Sequence, residues 1–256
     1  MRALVTGAGG RLGAAMAEEL GRAGYDVALH YATSAAGAGA VADRIAAHGR
    51  RGVPLQADLL DLDQAEALVG RAAEALGGPL DLLINNASIF EHDDIASATR
   101  ESWERHFRSN LRAPFILTQA FAEQAPAAGD DGEPRASANV INLIDQRVRK
   151  LTPEFMTYTL AKSALWTFTQ TAAQALAPAI RVNAIGPGPT LRGARQSADH
   201  FAAQRAATVL QRGADAEDIC AALRYLLEAK AVTGQLICVD GGQHLGWQTP
   251  DVLGVE

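Results

Sequence analysis

The chain has few of the residues that mark several large functional classes. Of its 256 residues only two are cysteines, Cys220 and Cys238, and they form no metal-type spacing. Neither a disulfide scaffold nor a Cys-ligated metal is expected, and a reduced compartment suits such a chain. The six histidines make no HxxxH pair and no Cys/His cluster, so the sequence predicts no metal site. Aromatic residues are 5% and the net charge is -6. That leaves neither base-stacking platforms nor a basic field for nucleic acid or an anionic membrane. No apolar run reaches the roughly 18 residues that a membrane span requires, and the opening MRALVTGAGG is too short and glycine-rich for a secretory signal. A cytoplasmic protein with neither nucleic-acid nor membrane partners is the expectation.

What is there is apolar material in short, regular pieces. The 48% hydrophobic content is ample for one sizeable core. Short aliphatic runs alternate with longer amphipathic stretches, the pattern of repeated βα units around a parallel sheet. Strands are predicted at Arg2–Thr6, Asp26–Tyr31, Val53–Ala57, Leu80–Asn85, Ala138–Leu143, Ile180–Ile185 and Gln235–Val239. Several are near-continuous hydrophobic runs, as expected of strands covered on both faces. Right-handed crossovers then give an α/β, Rossmann-type doubly wound seven-stranded sheet in a three-layer αβα sandwich. Two segments break the rhythm. Residues 126–137, rich in Ala, Gly, Asp and Pro, read as an exposed loop. The segment from GPGPT onward, around 186–213 and with a short helix near Ala198–Leu210, reads as a lid over a site. One dinucleotide-binding domain spanning 1–256 is expected, with the role of the tail after Gly241 left open.

The first strand runs into Thr6-Gly7-Ala8-Gly9-Gly10-Arg11-Leu12-Gly13 with a helix following at once. Glycines there allow a tight strand-to-helix turn and close approach of the backbone to a pyrophosphate on the helix N-terminus. Arg11 places a cation at the positive end of the helix dipole, an unfavourable position that a bound phosphate would reverse; the alternative is a solvated surface arginine. The second strand ends Leu29-His30-Tyr31-Ala32-Thr33-Ser34, with no Asp or Glu from Val27 to Gly39 to bind a ribose 2′-OH. Such an end tolerates a 2′-phosphate and favours NADPH, with NADH not excluded. Asp58 is either an adenine partner or a helix N-cap.

Tyr158 and Lys162 stand one turn apart in a predicted helix, Met156–Leu176. A neighbouring ammonium favours the phenolate, so the pair is expected to lower the tyrosine's pKa for acid-base work near neutrality.

Taken in order, Thr6–Gly13, Asn85-Asn86-Ala87, Asn110, Tyr158-x-x-x-Lys162, and Ile180-Arg181-Val182-Asn183 before Gly186-Pro187-Gly188 resemble the short-chain dehydrogenase/reductase family over nearly the whole chain. The resemblance implies Tyr158 as proton donor, Lys162 on the nicotinamide ribose, and Asn110 holding a water of the proton relay. It places Asn86 at the cofactor and makes Asn85 a tie between strands. A homotetramer or homodimer is implied as well.

Two departures sharpen the reading. Where most members carry a serine that donates to a substrate carbonyl, this chain has Asp145, and an ionised carboxylate only accepts. Where the cofactor turn usually has its middle glycine, the chain has Arg11. Both departures occur together in the pteridine reductase and dihydromonapterin reductase branch, which the chain is similar to. His30-Tyr31 followed by Ser34, and Asn86-Ala87-Ser88-Ile89-Phe90, match that branch too. The resemblance implies that Phe90 and the nicotinamide sandwich a flat pterin, with Ser88, Arg11, Asp145 and Tyr158 at its edges or on the cofactor. For Phe90 the other reading is core packing at the strand exit. The branch often has a basic residue where Ala32-Thr33 stand here, so the preference for NADPH is expected to be looser. The function expected is an NADPH-dependent reductase of a dihydropterin-like substrate. Its rivals are a general carbonyl or alcohol oxidoreductase and a non-catalytic dinucleotide sensor.

Overall fold

The computed structural model describes residues 1–193 and 196–247. In chain order the elements are β1 (Arg2–Val5), α1 (Arg11–Arg22), β2 (Asp26–Tyr31), α2 (Ala35–Ala46), β3 (Gly52–Gln56), α3 (Leu62–Leu76) and β4 (Leu82–Asn85). Then come α4 (Arg100–Phe107), a π-helical turn (Arg108–Arg112), α5 (Ala113–Gln124), β5 (Gly129–Asp130), β6 (Pro134–Arg135) and β7 (Ala138–Leu143). A 3₁₀ turn (Gln146–Val148), α6 (Met156–Leu176), β8 (Ile180–Pro187), α7 (Ala198–Ala206), α8 (Ala216–Glu228), β9 (Leu236–Val239) and a last 3₁₀ turn (Gln243–Leu245) complete the described residues.

The main sheet has seven strands in the order β3-β2-β1-β4-β7-β8-β9, and every pairing is parallel. Strand side chains alternate between two apolar layers, as a period of two requires. Val5, Leu29, Ile84, Ile141 and Ile185 join Met16, Leu20, Ile219 and Leu223 of α1 and α8. Leu4, Ala28, Leu83, Val140 and Val182 join Leu68, Ala72, Leu117, Phe121 and Ala172 of α3, α5 and α6. Both faces are therefore covered, the reason these strands read as continuous hydrophobic runs.

The chain winds outward from β1 to β3, then returns to β4 on the other side of β1. The connections after β1 and β4 lead to helices on opposite faces of the sheet, the topological switch point at which such sheets usually bind ligands.

Three local readings change. The expected loop at 126–137 contains a two-residue antiparallel pairing of β5 with β6. The helix expected to reach Leu210 stops at Ala206, because the Thr208 hydroxyl bonds the Arg205 and Arg212 carbonyls and Gln211 takes a φ of 53°. The cap of α3 is Asp61, which accepts from the Gln64 N–H, and not Asp58, which closes a short turn to Leu60.

Candidate active site

The glycine turn after β1 is built by close contacts. Gly7 has φ +65°, and a Cβ on Gly13 would stand 2.2 Å from the Gly7 carbonyl oxygen. Around Gly10, by contrast, a Cβ would meet nothing within 4 Å, so the turn opens outward there. The Thr6 hydroxyl accepts from the backbone N–H groups of Asn86 and Ala87 at 2.9 and 3.0 Å, and the Asn86 amide donates to the Thr6 carbonyl at 2.8 Å. These bonds fix the ends of β1 and β4 side by side. His30 lies buried beneath the turn. Its Nδ1 accepts from the Gly7 N–H at 3.1 Å and its Nε2 lies 3.1 Å from the Ala57 carbonyl, which sets the tautomer. Burial pushes its pKa down. Both ring nitrogens face protein groups, so His30 acts on the turn it holds.

Arg11 begins α1 with φ 52°, in the left-handed region that glycine adopts freely. An L-residue there costs about 1 kcal/mol or more. Its guanidinium donates to the carbonyls of Leu191 and Arg192, both at 3.1 Å. The arginine thus keeps the glycine's backbone geometry and adds a tether to the segment after β8. Leu12 packs against the core behind it. Neither α1 nor α2 has a side-chain cap or an acid in its first turn. Ser34, at the start of α2, donates to the Gly9 carbonyl at 3.1 Å, and Tyr31 is half-buried at the end of β2. Gly188, after β8, sits where a Cβ would meet Asp240 at 2.5 Å.

A second group of side chains gathers at the ends of β4 and β7. Asn110, in the π-helical turn, donates to the Ile89 carbonyl at 2.8 Å and accepts from the Ile89 N–H at 2.9 Å. Such turns recur at functional sites. Beneath it, Asn85 donates to Asn142 at 2.9 Å, and Asn142 donates to the Thr169 hydroxyl at 2.9 Å, a buried tie from β4 through β7 to α6.

Tyr158 and Lys162 lie on the buried face of α6. The Tyr158 hydroxyl donates to Asp145 Oδ2 at 3.0 Å, and Asp145 Oδ1 accepts from the Arg147 N–H at 2.8 Å. The Lys162 ammonium donates to the Leu143 carbonyl at 2.7 Å. Here the expectation from spacing is overturned. Burial, and then the Asp145 carboxylate, push the Tyr158 pKa well up, although Arg147 and a hydrogen bond with Ser88 oppose them. Tyr158 is therefore a neutral phenol with its proton directed at a carboxylate. Burial lowers Lys162 to about 8, with Asp145 opposing. Desolvation raises the Asp145 carboxyl above the usual range, against the N–H and charge of Arg147.

Phe90 is 46% exposed, so it is not core packing. It stacks on Phe155 at 4.3 Å with planes 8° apart and meets the Tyr158 ring edge-on at 4.7 Å.

The sequence reading missed the group that holds Tyr158 in place. Phe155 has φ 57°, and α6 starts without a cap of its own. Asp93 supplies one from the loop after β4, accepting the Thr157 N–H at 3.1 Å and the Ser102 hydroxyl at 3.0 Å. The Thr157 hydroxyl also donates to Asp93 and lies 2.7 Å from His106 Nδ1, while His106 Nε2 accepts from the Glu91 N–H at 3.1 Å. Burial pushes the Asp93 carboxyl up, but the bonds from Thr157 and Ser102 outweigh it and the net shift is down. The His106 ring meets that of Tyr158 edge-on at 5.9 Å. The one signal in the sequence was a histidine four positions before Asn110, which singles out nothing.

This chemistry has known counterparts. The family model described as Enoyl-(Acyl carrier protein) reductase matches residues 7–244. The chain belongs to the short-chain dehydrogenase/reductase family. Within that family it is 43% identical to the crystal structure of FolM Alternative dihydrofolate reductase 1 from Brucella suis in complex with NADP. That match covers 98% of this chain and 97% of the other, with a TM-score of 0.91. Pteridine reductase 1 of Leishmania tarentolae is 32% identical, over 95% of this chain and 96% of the relative. The 3-oxoacyl-[acyl-carrier-protein] reductase FabG of Staphylococcus aureus is 30% identical, over 95% and 98%. This short-chain reductase thus brings Tyr158 and Lys162 together on one face of α6 with the Asp145 carboxylate beside the tyrosine. Among the described residues no helix is long and apolar enough to cross a membrane.

Proposed function

We propose that the chain is an NADPH-dependent reductase of a dihydropterin-like C=N bond, acting in cytoplasmic folate metabolism. The observation that carries the reading is the Tyr158–Asp145 pair. A ketone offers only an acceptor oxygen and needs a donor beside it, whereas a pterin edge offers N–H groups that a carboxylate can accept. The two solved and curated relatives named for dihydrofolate and pteridine reduction support it.

The dinucleotide site fits the residues present, because the uncapped start of α1 and the open space over Gly10 leave N–H donors for a pyrophosphate. Gly7, Arg11, Leu12 and Gly13 would hold the phosphates, and Tyr31 and Ser34, over His30, the 2′-phosphate. Asp58 would meet the adenine, and Asn86, Ala87, Tyr158, Lys162 and Gly188 the nicotinamide half. When bound, NADPH supplies the hydride. One proton completes the step, on the nitrogen of the C=N bond, and the hydrogen-bonded Tyr158–Asp145 pair supplies it, the Asp145 carboxyl being raised by burial. Lys162 keeps a positive charge under the phenol, and Asn110 holds a water for reprotonation. Ser88, Phe90 and Arg11 bound the substrate.

The segment expected as the lid, 186–213, starts inside β8, which runs to Pro187, and includes residues 194 and 195, which lie outside the described residues; the lid of this single domain is the part that follows β8. Arg205 bonds Pro189 and Ala214 at its two stems, and Arg11 holds the carbonyls of Leu191 and Arg192. A homodimer or homotetramer is proposed through the apolar groove of about 450 Å³ lined by Phe115, Ala122, Phe168 and Leu176 of α5 and α6.

The test is oxidation of NADPH and of NADH against several dihydropterins, dihydrofolate and simple ketones. Turnover of a dihydropterin with tighter NADPH binding is expected. Faster turnover of the ketones would support the FabG-like reading, and no turnover at all would support a dinucleotide sensor.

A further inference from the structure

The loop from β7 to α6 carries Arg147, Arg149 and Lys150 with no acidic residue between Asp145 and Glu154, in a chain of net charge -6. Glu154 itself pairs with His92. Arg147 is the one of the three cations that packs against the aromatic pair. Its guanidinium lies 4.9 Å from the centroid of Phe155 and donates to the Thr152 hydroxyl at 2.6 Å. Phe155 in turn is stacked on Phe90, and His92 meets it edge-on at 5.0 Å. The arginine therefore packs on Phe155, one ring removed from Phe90, half-buried and already ordered by its backbone bond to Asp145.

We propose that Arg147 and Phe155 form a second subsite beside Phe90 that selects dihydropterins whose side chain ends in an anion, a carboxylate or a phosphate ester, over those with neutral side chains. This rests on the dihydropterin reading above. Asp145 and Arg147 make opposite demands on a substrate. The Asp145 carboxylate takes N–H donors and repels anions. The Arg147 guanidinium, with one of its donors engaged by a side chain among the described residues, presents a planar fork that matches carboxylate or phosphate geometry. Because the cation–π contact and the Thr152 bond hold it in place, little ordering entropy remains to be lost on binding. The exposed Arg149 and Lys150 add positive potential on the approach.

Arg147 also lowers the pKa of Asp145, so its removal changes the reacting pair for every substrate. The test therefore reads a ratio. With NADPH saturating, kcat and KM are measured for dihydrofolate, for a phosphate ester of a dihydropterin, and for a dihydropterin with a neutral side chain. The expected wild-type preference is for the anionic substrates, and it should fade in about 0.5 M salt as screening shortens the reach of the charge. Arg147→Gln should lower the anionic-to-neutral ratio of kcat/KM about tenfold, chiefly through KM, and Arg147→Lys should restore part of it. The carboxylate and phosphate arms show which anion is favoured. An unchanged ratio in Arg147→Gln overturns the subsite while leaving the dihydropterin reading intact. Failure of wild type to reduce any dihydropterin overturns both.

Discussion

The Tyr158 hydroxyl points its proton at Oδ2 of Asp145 across 3.0 Å, and the carboxylate keeps the phenol neutral. Asp145→Asn preserves the shape but removes the charge. Since that charge raises both Tyr158 and Lys162, the alkaline limb of kcat/KM should move to lower pH in the variant. Dihydropterin turnover should fall and lose its acid-side dependence. Asp145→Ser supplies a donor, so it should shift preference toward a simple ketone. Overlaid pH profiles for wild type and Asp145→Asn, with both substrates, would make Asp145 a bystander.

Tyr158→Phe keeps the ring that meets Phe90 but loses the proton. Turnover should drop by roughly 10²–10⁴-fold, while fluorescence titration should show NADPH binding within a small factor of wild type. Near-normal kcat would assign the proton to another group.

Phe90→Ala should raise the KM of a flat substrate several-fold, consistent with stacking worth about 0.5–1.5 kcal/mol beyond buried area. With the ring 46% exposed, the stability loss should fall far short of the roughly 3–5 kcal/mol of a buried phenylalanine. Denaturant unfolding and KM measured on the same preparation separate the two effects. A large stability loss with unchanged KM would contradict this placement.

His106 and His30 are both depressed by burial from 6.5. For such a base the unfolded chain takes up the proton first. Stability is therefore full above pH 6.5 and is lost as pH falls below it, by up to about 1.4 kcal/mol per pH unit for each group. His106→Gln removes one of the two, so the decline in Tm between pH 7 and 5 should become about half as steep. A slope identical to wild type would show that His106 does not titrate on unfolding.

Much of the fold follows from local pattern. The edges of β2, β7 and α6 were readable to the residue because alternation and helical spacing depend only on near neighbours. The spacing of Tyr158 and Lys162 likewise places both on one face of α6. The direction of the Tyr158 shift was not readable. Spacing suggested an ammonium as the dominant neighbour, whereas burial and a carboxylate from the preceding loop outweigh it.

What the sequence by itself determined is the order of strands and helices, the glycine turn and the family chemistry, since each is set by residues within a turn or two of one another. Only the tertiary structure decided that Arg11 tethers the segment after β8, that Phe155 covers Phe90, and that Asp93 and His106 hold the start of α6. Those contacts join residues far apart in the chain. They exist because the parallel sheet brings the carboxyl ends of β1, β4, β7 and β8 to one edge, where loops with no pattern of their own must satisfy each other's buried polar groups.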